Sequence, residues 1–397
     1  MIFLSNLRCT TCGKEYSPDK VRYLCPKCSK NYKPGIPLSG VLEVLYDYKL
    51  IACAWDSIKD RKPMLLKDIL SPVERDFYPD LPVGNTPFFQ PQRLSMKYDL
   101  PHLYIKFDGL NPSGSLKDRA SQLMVAEARR LGIRKIVCAS TGNAACSLAA
   151  LSASSGIQAI IFAPEKAPPA KLVQIRIHGA ELHKVKGTYD DAFRAALEFA
   201  QDNKVLNRNT GYHPYTIEGK KTAGLEIFVQ MQDSKNMNKI PDWIVIPTGD
   251  GVILSGVHKA FLDLRRAGIT ERLPHLLCVQ SESSDAITKY WSSGTYEDAA
   301  SPSTIADSIS VKTPSNAHWA VQAIKESAGK CVLVSDDEIL AAQKELADYS
   351  GIFAEPSSSA SLAGLSKAVS QGWINKEESV VLLVTGHGLK DTAAVKF

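Results

Sequence analysis

Apolar positions in this chain keep two different rhythms. From about residue 103 they gather in short unbroken runs, each followed by a polar or glycine-rich turn and then a stretch with helical spacing. Leu103-Tyr104-Ile105-Lys106 predicts a strand, ahead of a polar turn and a helix whose apolar face holds Leu123, Ala126 and Ala128. Residues 134–139 form a second run, which ends in Ser140-Thr141-Gly142-Asn143 and a small-residue helix to about Ser155. Residues 157–163 form a third. Trp243-Ile244-Val245-Ile246 runs into Gly249-Asp250-Gly251 and a helix, and residues 380–384 run into Thr385-Gly386-His387-Gly388. Continuous apolar strands alternating with helices predict parallel sheets covered on both faces. Ligands of such sheets sit beyond the carboxyl ends of the strands, where the turns just named all fall.

The chain before residue 103 reads differently. Residues 1–35 are short, polar and rich in Lys, Tyr and Pro, and residues 36 to about 100 carry many prolines and turn signals. We read the latter as a linker and irregular lead-in with a few short elements. The 397 residues suit two domains plus an appendage. The expected division is a ribbon-like segment at 1–35, a lead-in with the first part of a large domain at 36–125, a small α/β domain at 126–221, and the rest of the large domain at 222–397.

Composition narrows the classes. The net charge of +5 comes from 47 basic and 42 acidic residues spread along the whole length. No basic stripe is legible, so no nucleic-acid partner is expected, while a mild positive balance suits a small anionic one. No apolar run is long enough to span a bilayer, and the start lacks the basic flank of a signal peptide. Five of the nine cysteines (Cys53, Cys138, Cys146, Cys278 and Cys331) are scattered singly, which argues for reduced thiols and a cytoplasmic address.

The other four cysteines pair as Cys9-Thr10-Thr11-Cys12 and Cys25-Pro26-Lys27-Cys28. Each knuckle can turn two thiolates toward one tetrahedral ion, so Cys9, Cys12, Cys25 and Cys28 predict a zinc site. Four thiolates leave zinc no open position, and the site is expected to be structural. The bland alternative is four free thiols in a small polar lobe.

Three turns could carry chemistry. Asn111-Pro112-Ser113-Gly114-Ser115-Leu116-Lys117-Asp118-Arg119 puts a lysine one turn into a helix, after a Ser/Gly turn. Such an amine could project into a cleft and form a Schiff base, or it could simply be an exposed first turn. Ser140-Thr141-Gly142-Asn143 offers hydroxyls and a carboxamide at a helix N-terminus, which is either an anion site or a plain cap. In Gly249-Asp250-Gly251, backbone amides could close around a phosphate, although a lone Gly-x-Gly is weak evidence.

Together these segments resemble the threonine synthases, within the second fold type of pyridoxal-phosphate (PLP) enzymes and the tryptophan synthase beta-like superfamily. The lysine motif differs from the family's only by Leu116 in place of Phe, and Ser140-Thr141-Gly142-Asn143 matches its next loop. Thr385-Gly386-His387-Gly388-Leu389-Lys390-Asp391 stands intact near the end. Gly84-Asn85-Thr86-Pro87, Glu218-Gly219-Lys220-Lys221-Thr222 and Phe353-Ala354-Glu355-Pro356 fall in the family's order.

The resemblance implies two parallel-sheet three-layer domains behind a zinc-ribbon-like start, and a homodimer. It makes Lys117 the cofactor's Schiff-base lysine and the proton-shuttling base. Asn143 would bond the phenolic oxygen of pyridoxal phosphate and Thr385 would face its ring nitrogen. Gly249, Asp250, Gly251, Val252 and Ile253 would hold its phosphate. Ser113, Ser115, Ser140, Thr141, Asn209 and Thr210 would meet the substrate. The implied activity is a lyase that converts O-phospho-L-homoserine and water to L-threonine and phosphate.

Two departures bear on the substrate. The arginine that grips the substrate phosphate in the family is Thr216 here, and Gly142-Asn143-Ala144 replaces Gly-Asn-Thr. Losing a bidentate anion clamp is not a conservative change. The alternative is therefore a beta-replacement enzyme or a serine/threonine dehydratase acting on a different substrate. If phosphohomoserine is the substrate, Arg208 and Lys221 are the nearest replacement cations. His387 is expected to satisfy backbone groups, the alternative being a contact with the substrate or cofactor edge, and His213 and His318 are expected to lie at the surface.

Overall fold

The computed structural model describes residues 3–33, 35–60, 62–140, 142–165, 169–187, 189–232 and 240–395. Two compact units divide the chain, residues 1–83 with 117–222 and residues 84–116 with 223–397. Strands β1 (Leu4–Cys9), β2 (Glu15–Tyr16) and β3 (Leu42–Tyr46) form an antiparallel sheet in the order β2-β1-β3. β3 and the helix Tyr48–Ile58 lie within the stretch read from sequence as an irregular lead-in with a few short elements. Partners distant in sequence decide the matter there: β3 pairs with β1, and the helix buries Ile51 and Trp55.

β4 (Phe88–Phe89) and β5 (Leu103–Phe107) open a sheet that is completed much later in the chain. In the first unit, β6 (Lys135–Ala139), β7 (Gln158–Pro164), β8 (Glu181–Val185) and β9 (Leu206–Asn207) form a parallel sheet in the order β8-β7-β6-β9. β10 (Trp243–Pro247), β11 (His275–Ser281), β12 (Lys330–Val334) and β13 (Val380–Val384) then finish the larger sheet, ordered β12-β11-β10-β13-β5-β4. Only β4, at its edge, runs antiparallel.

Both faces of the larger sheet are covered. Val245, Leu277, Val279, Val380 and Leu382 share one core with Ala360, Leu362 and Leu365 of the helix Pro356–Ser370. The alternate residues Ile244, Leu276, Cys278, Val381 and Leu383 are buried as well. This is the α/β architecture expected from unbroken apolar strands. The helix Lys117–Arg130 departs from its expected single apolar face, because every residue from Asp118 to Ala128 is buried.

Candidate active site

In the second unit, turns far apart in sequence are braided together. The Leu116 N–H donates to Thr385 O at 2.8 Å and the His387 N–H to Gly114 O at 3.0 Å. Ser115 and Gly386 form an isolated bridge. Lys390 Nζ reaches Ser113 O at 2.7 Å. Gly388 N–H bonds Phe353 O at 2.8 Å and Glu355 N–H bonds Gly386 O at 3.2 Å. Ahead of them, Gly84 N–H bonds Asn111 Oδ1 at 2.9 Å, and Thr86 Oγ1 donates to Asp108 Oδ1 at 2.7 Å. The segments 84–86, 108–116, 353–355 and 385–390 therefore form one scaffold at the ends of β5 and β13. Gly114, at φ +80°, makes its turn in a region open chiefly to glycine.

Thr385 is buried at the end of β13, and its hydroxyl lies 2.9 Å from that of Ser358. Nothing in the sequence marked Ser358. Ser115 Oγ is buried with no hydrogen-bond partner among the described residues. His387 Nδ1 accepts the Leu389 N–H at 3.2 Å and so caps its own turn, the structural role expected.

After β10, Gly249 and Gly251 flank Asp250, and Gly251 (φ +81°) begins the helix Val252–Arg266. The first turn of that helix is buried, Val252, Ile253 and Leu254 included. Asp250 Oδ1 accepts the Val252 N–H at 2.9 Å. A buried helix N-terminus behind a glycine turn favours an anion, and here Asp250 already holds the Val252 amide.

Lys117 follows Leu116 directly, opens the helix Lys117–Arg130 in the first unit and is half-buried. In that unit Ser140 follows β6, and its Oγ accepts the Gly142 N–H at 3.2 Å. Asn143 begins the helix Asn143–Ala153 and is buried, and Ala144 is half-buried. Thr141 lies outside the described residues. Asn209 is fully buried, its Oδ1 taking the Ala139 N–H at 2.8 Å, while Thr210 Oγ1 accepts from Lys220 Nζ at 2.9 Å.

Thr216 cannot act as an anion clamp in this arrangement. Its hydroxyl accepts the Gly211 N–H at 3.1 Å and donates to His213 O at 2.8 Å. Lys221 is engaged too, in a buried ion pair with Glu218 and a 3.1 Å contact to Tyr46 OH. The expectation of a surface His213 fails. The ring is buried, Nδ1 accepts the Tyr215 N–H at 3.1 Å, and burial followed by nearby Arg22 pushes its pKa down to about 3. Its ring packs 5.3 Å from that of Tyr23, a contact that spacing in the sequence does not encode. His318 is exposed, as expected.

The four cysteine sulfurs of Cys9, Cys12, Cys25 and Cys28 all lie within 4.8 Å of one another. Cys12 Sγ and Cys25 Sγ are 3.9 Å apart, close to the edge of about 3.8 Å that a tetrahedron of 2.3 Å Zn–S bonds requires. The cluster fits a metal ion.

The donors of the second unit also fit pyridoxal phosphate: a hydroxyl at the end of β13, an orphaned Ser115 hydroxyl beside it, and a buried helix N-terminus for a phosphate. Residues 80–386 match the family model described as pyridoxal-phosphate dependent enzyme. The processed form of threonine deaminase isoform 2 from Solanum lycopersicum superposes with a TM-score of 0.68 at 23% identity. That likeness covers 82% of this chain and 83% of the other, and carries the fold alone. Among curated relatives, threonine synthase of Methanosarcina acetivorans is 39% identical over 98% of this chain and 93% of its own length. Threonine synthase of Methanocaldococcus jannaschii is 35% identical over the same two shares. The chain belongs to the threonine synthase family of pyridoxal-phosphate-dependent enzymes.

Proposed function

We propose that this protein is a PLP-dependent lyase that converts O-phospho-L-homoserine and water to L-threonine and phosphate. The observation that carries this reading is the scaffold joining 111–116 to 385–390, which delivers the chain to Lys117 with the buried Thr385 hydroxyl at its heart. Full-length similarity to threonine synthases supports the substrate.

When bound, the cofactor draws electrons from the substrate Cα. Lys117 would anchor it, and the Lys117 amine would take the Cα proton and return protons during the reaction. Amides of residues 249–253 would hold the cofactor phosphate, Asn143 its phenolic oxygen and Thr385 its ring nitrogen. A hydroxyl leaves that nitrogen without a charged partner, so electron withdrawal is gentler than with an aspartate. Ser113, Ser115, Ser140, Thr141, Asn209 and Thr210 would orient the amino acid. A Cβ proton would leave as phosphate departs from Cγ, a proton would be delivered to Cγ, water would add at Cβ, and the Cα proton would be restored to give threonine.

The engaged hydroxyl of Thr216 favours a second reading, a beta-replacement enzyme or dehydratase with a non-phosphorylated substrate. A substrate panel separates the two. Phosphate release from phosphohomoserine supports the synthase, and ammonia release from serine or threonine alone overturns it.

The same proposal includes one structural zinc on Cys9, Cys12, Cys25 and Cys28, a homodimer and a cytoplasmic address. None of the nine cysteines forms a disulfide, and no helix among the described residues is long and apolar enough to cross a membrane. The working domain division is 1–35, 36–125, 126–221 and 222–397.

A further inference from the structure

The buried cations of the first unit carry a further inference, which rests on a phosphate ester being the substrate. Arg208 follows β9 directly, and its N–H bonds Val137 O at 2.8 Å. That places it at the carboxyl end of a parallel strand, where such sheets bind ligands. Its side chain is 0% exposed. Nε has only a long 3.4 Å contact with Ser121 Oγ, and neither Nη1 nor Nη2 has a hydrogen-bond partner among the described residues. The next residue repeats the situation. Asn209 Nδ2 is buried without an acceptor, although Asn209 Oδ1 is held by the Ala139 N–H at the end of β6.

A second cation stands nearby. Lys220 is also 0% exposed, and its Nζ is held by Thr210 Oγ1. Burial raises the pKa of the Cys138 thiol, while Arg208 and Lys220 both pull it down, so both cations act on the same sulfur near the end of β6. Lys221, by contrast, is tied to Glu218, and Thr216 to its own backbone.

Burying a guanidinium whose side-chain contacts among the described residues are only the neutral Ser121 hydroxyl and Cys138 thiol is strongly destabilising, so a chain that keeps one there needs an anion to meet it. A phosphoryl dianion matches two positive charges, and its oxygens match the fork of Arg208 and the amide N–H groups of Asn209. We propose that Arg208 and Lys220, with the Asn209 carboxamide, recognise the phosphoryl group of the substrate in place of an arginine at position 216.

The test uses the holoenzyme and two probes, inorganic phosphate by calorimetry and phosphohomoserine by steady-state kinetics. Arg208→Gln and Lys220→Gln should each weaken phosphate binding and raise KM by tenfold or more, with a smaller change in kcat and an unchanged cofactor absorbance band. Arg208→Lys keeps the charge but loses the fork, and should fall between wild type and Arg208→Gln. If Arg208→Gln does not fold, Arg208→Lys and Lys220→Gln decide. Phosphate affinity and KM within twofold of wild type in both overturn the inference while leaving the synthase reading intact. Wild type that binds phosphate through these residues yet releases only ammonia from serine or threonine overturns the synthase reading and leaves the anion site standing.

Discussion

Lys106 Nζ lies 2.8 Å from Glu226 Oε2, and neither side chain is more than 1% exposed. Lys106 also donates to Thr86 O at 2.9 Å and Gln230 Oε1 at 2.7 Å, while Glu226 Oε1 accepts the Asn85 N–H at 2.8 Å. The pair thus pins the 84–86 turn, which in turn holds Asn111 at the head of the lysine motif. Removing one partner of such a pair leaves a buried charge, so Lys106→Met should cost about 3–5 kcal/mol. Lys106→Met combined with Glu226→Leu should recover part of that loss. Urea denaturation of the single and double variants measures it, and equal losses in both would refute the pairing argument.

Lys117 is expected to anchor the cofactor. Wild type should show a visible cofactor band that borohydride bleaches, and Lys117→Ala should lose the bleaching. Turnover should fall by about 10²–10⁴-fold or more, since the proton-transferring amine goes too. A mutant that still holds the cofactor covalently would place the anchor elsewhere.

The hydroxyl pair of Thr385 and Ser358 predicts a smaller effect. Ser358→Ala frees the Thr385 hydroxyl to rotate and removes one buried hydrogen bond, worth about 0.5–1.5 kcal/mol. Cofactor affinity should therefore drop roughly 2- to 10-fold, by the same energy expressed as a ratio. Ser358→Thr should restore it. Titration of the apoprotein with pyridoxal phosphate reads the change directly, and an unaltered affinity would leave Ser358 as packing alone.

These three sites differ in how far the sequence reveals them. β13 was legible to the residue, because an apolar run buried on both faces leaves no polar position to blur its ends. The lysine and Thr385 motifs were legible through their resemblance to a family, and their braiding agrees with that. The two-residue strands β4 and β9 were not, since two residues carry no periodicity and only their partners define them. Nor were the buried charges. Lys106, Arg208 and Lys220 look like surface residues by type, and their partners lie on other elements. Lys259 with Asp263 and Lys221 with Glu218 did carry a signal, opposite charges one helical turn apart, although that pattern usually marks solvent-facing positions.

His213 makes acid stability testable. Its folded pKa of about 3 lies below the ordinary 6.5, chiefly through burial. Below 6.5 the unfolded chain takes up a proton that the folded one refuses, so the contribution is full above 6.5 and is lost as pH falls toward 3. Between pH 6.5 and 5 this amounts to about 2 kcal/mol from this group. The urea midpoint of wild type should fall over that window more steeply than that of His213→Gln. Parallel slopes would mean that the ring takes up its proton in the folded state.

The cysteine cluster and the turn after β9 meet at Tyr23. Its hydroxyl accepts the Asn207 N–H at 3.1 Å, and its ring packs 5.0 Å from Tyr212 and 5.3 Å from His213. Cys25, two residues on, is fully buried and closely packed under Gly40. Four thiolates satisfy one tetrahedral ion, so metal analysis should find about one zinc per chain. Cys25→Ser should release that ion and loosen the segment that carries Tyr23. Hydrogen exchange should then speed up in residues 4–46 and at the Asn207 amide, which loses its acceptor, while the visible cofactor band stays as in wild type. Tyr23→Phe removes only the hydroxyl and should speed exchange at Asn207 without releasing zinc. Unchanged exchange at Asn207 in both variants would separate the ribbon from the turn after β9, and a cofactor band lost with the zinc would mean that the ribbon supports the whole site.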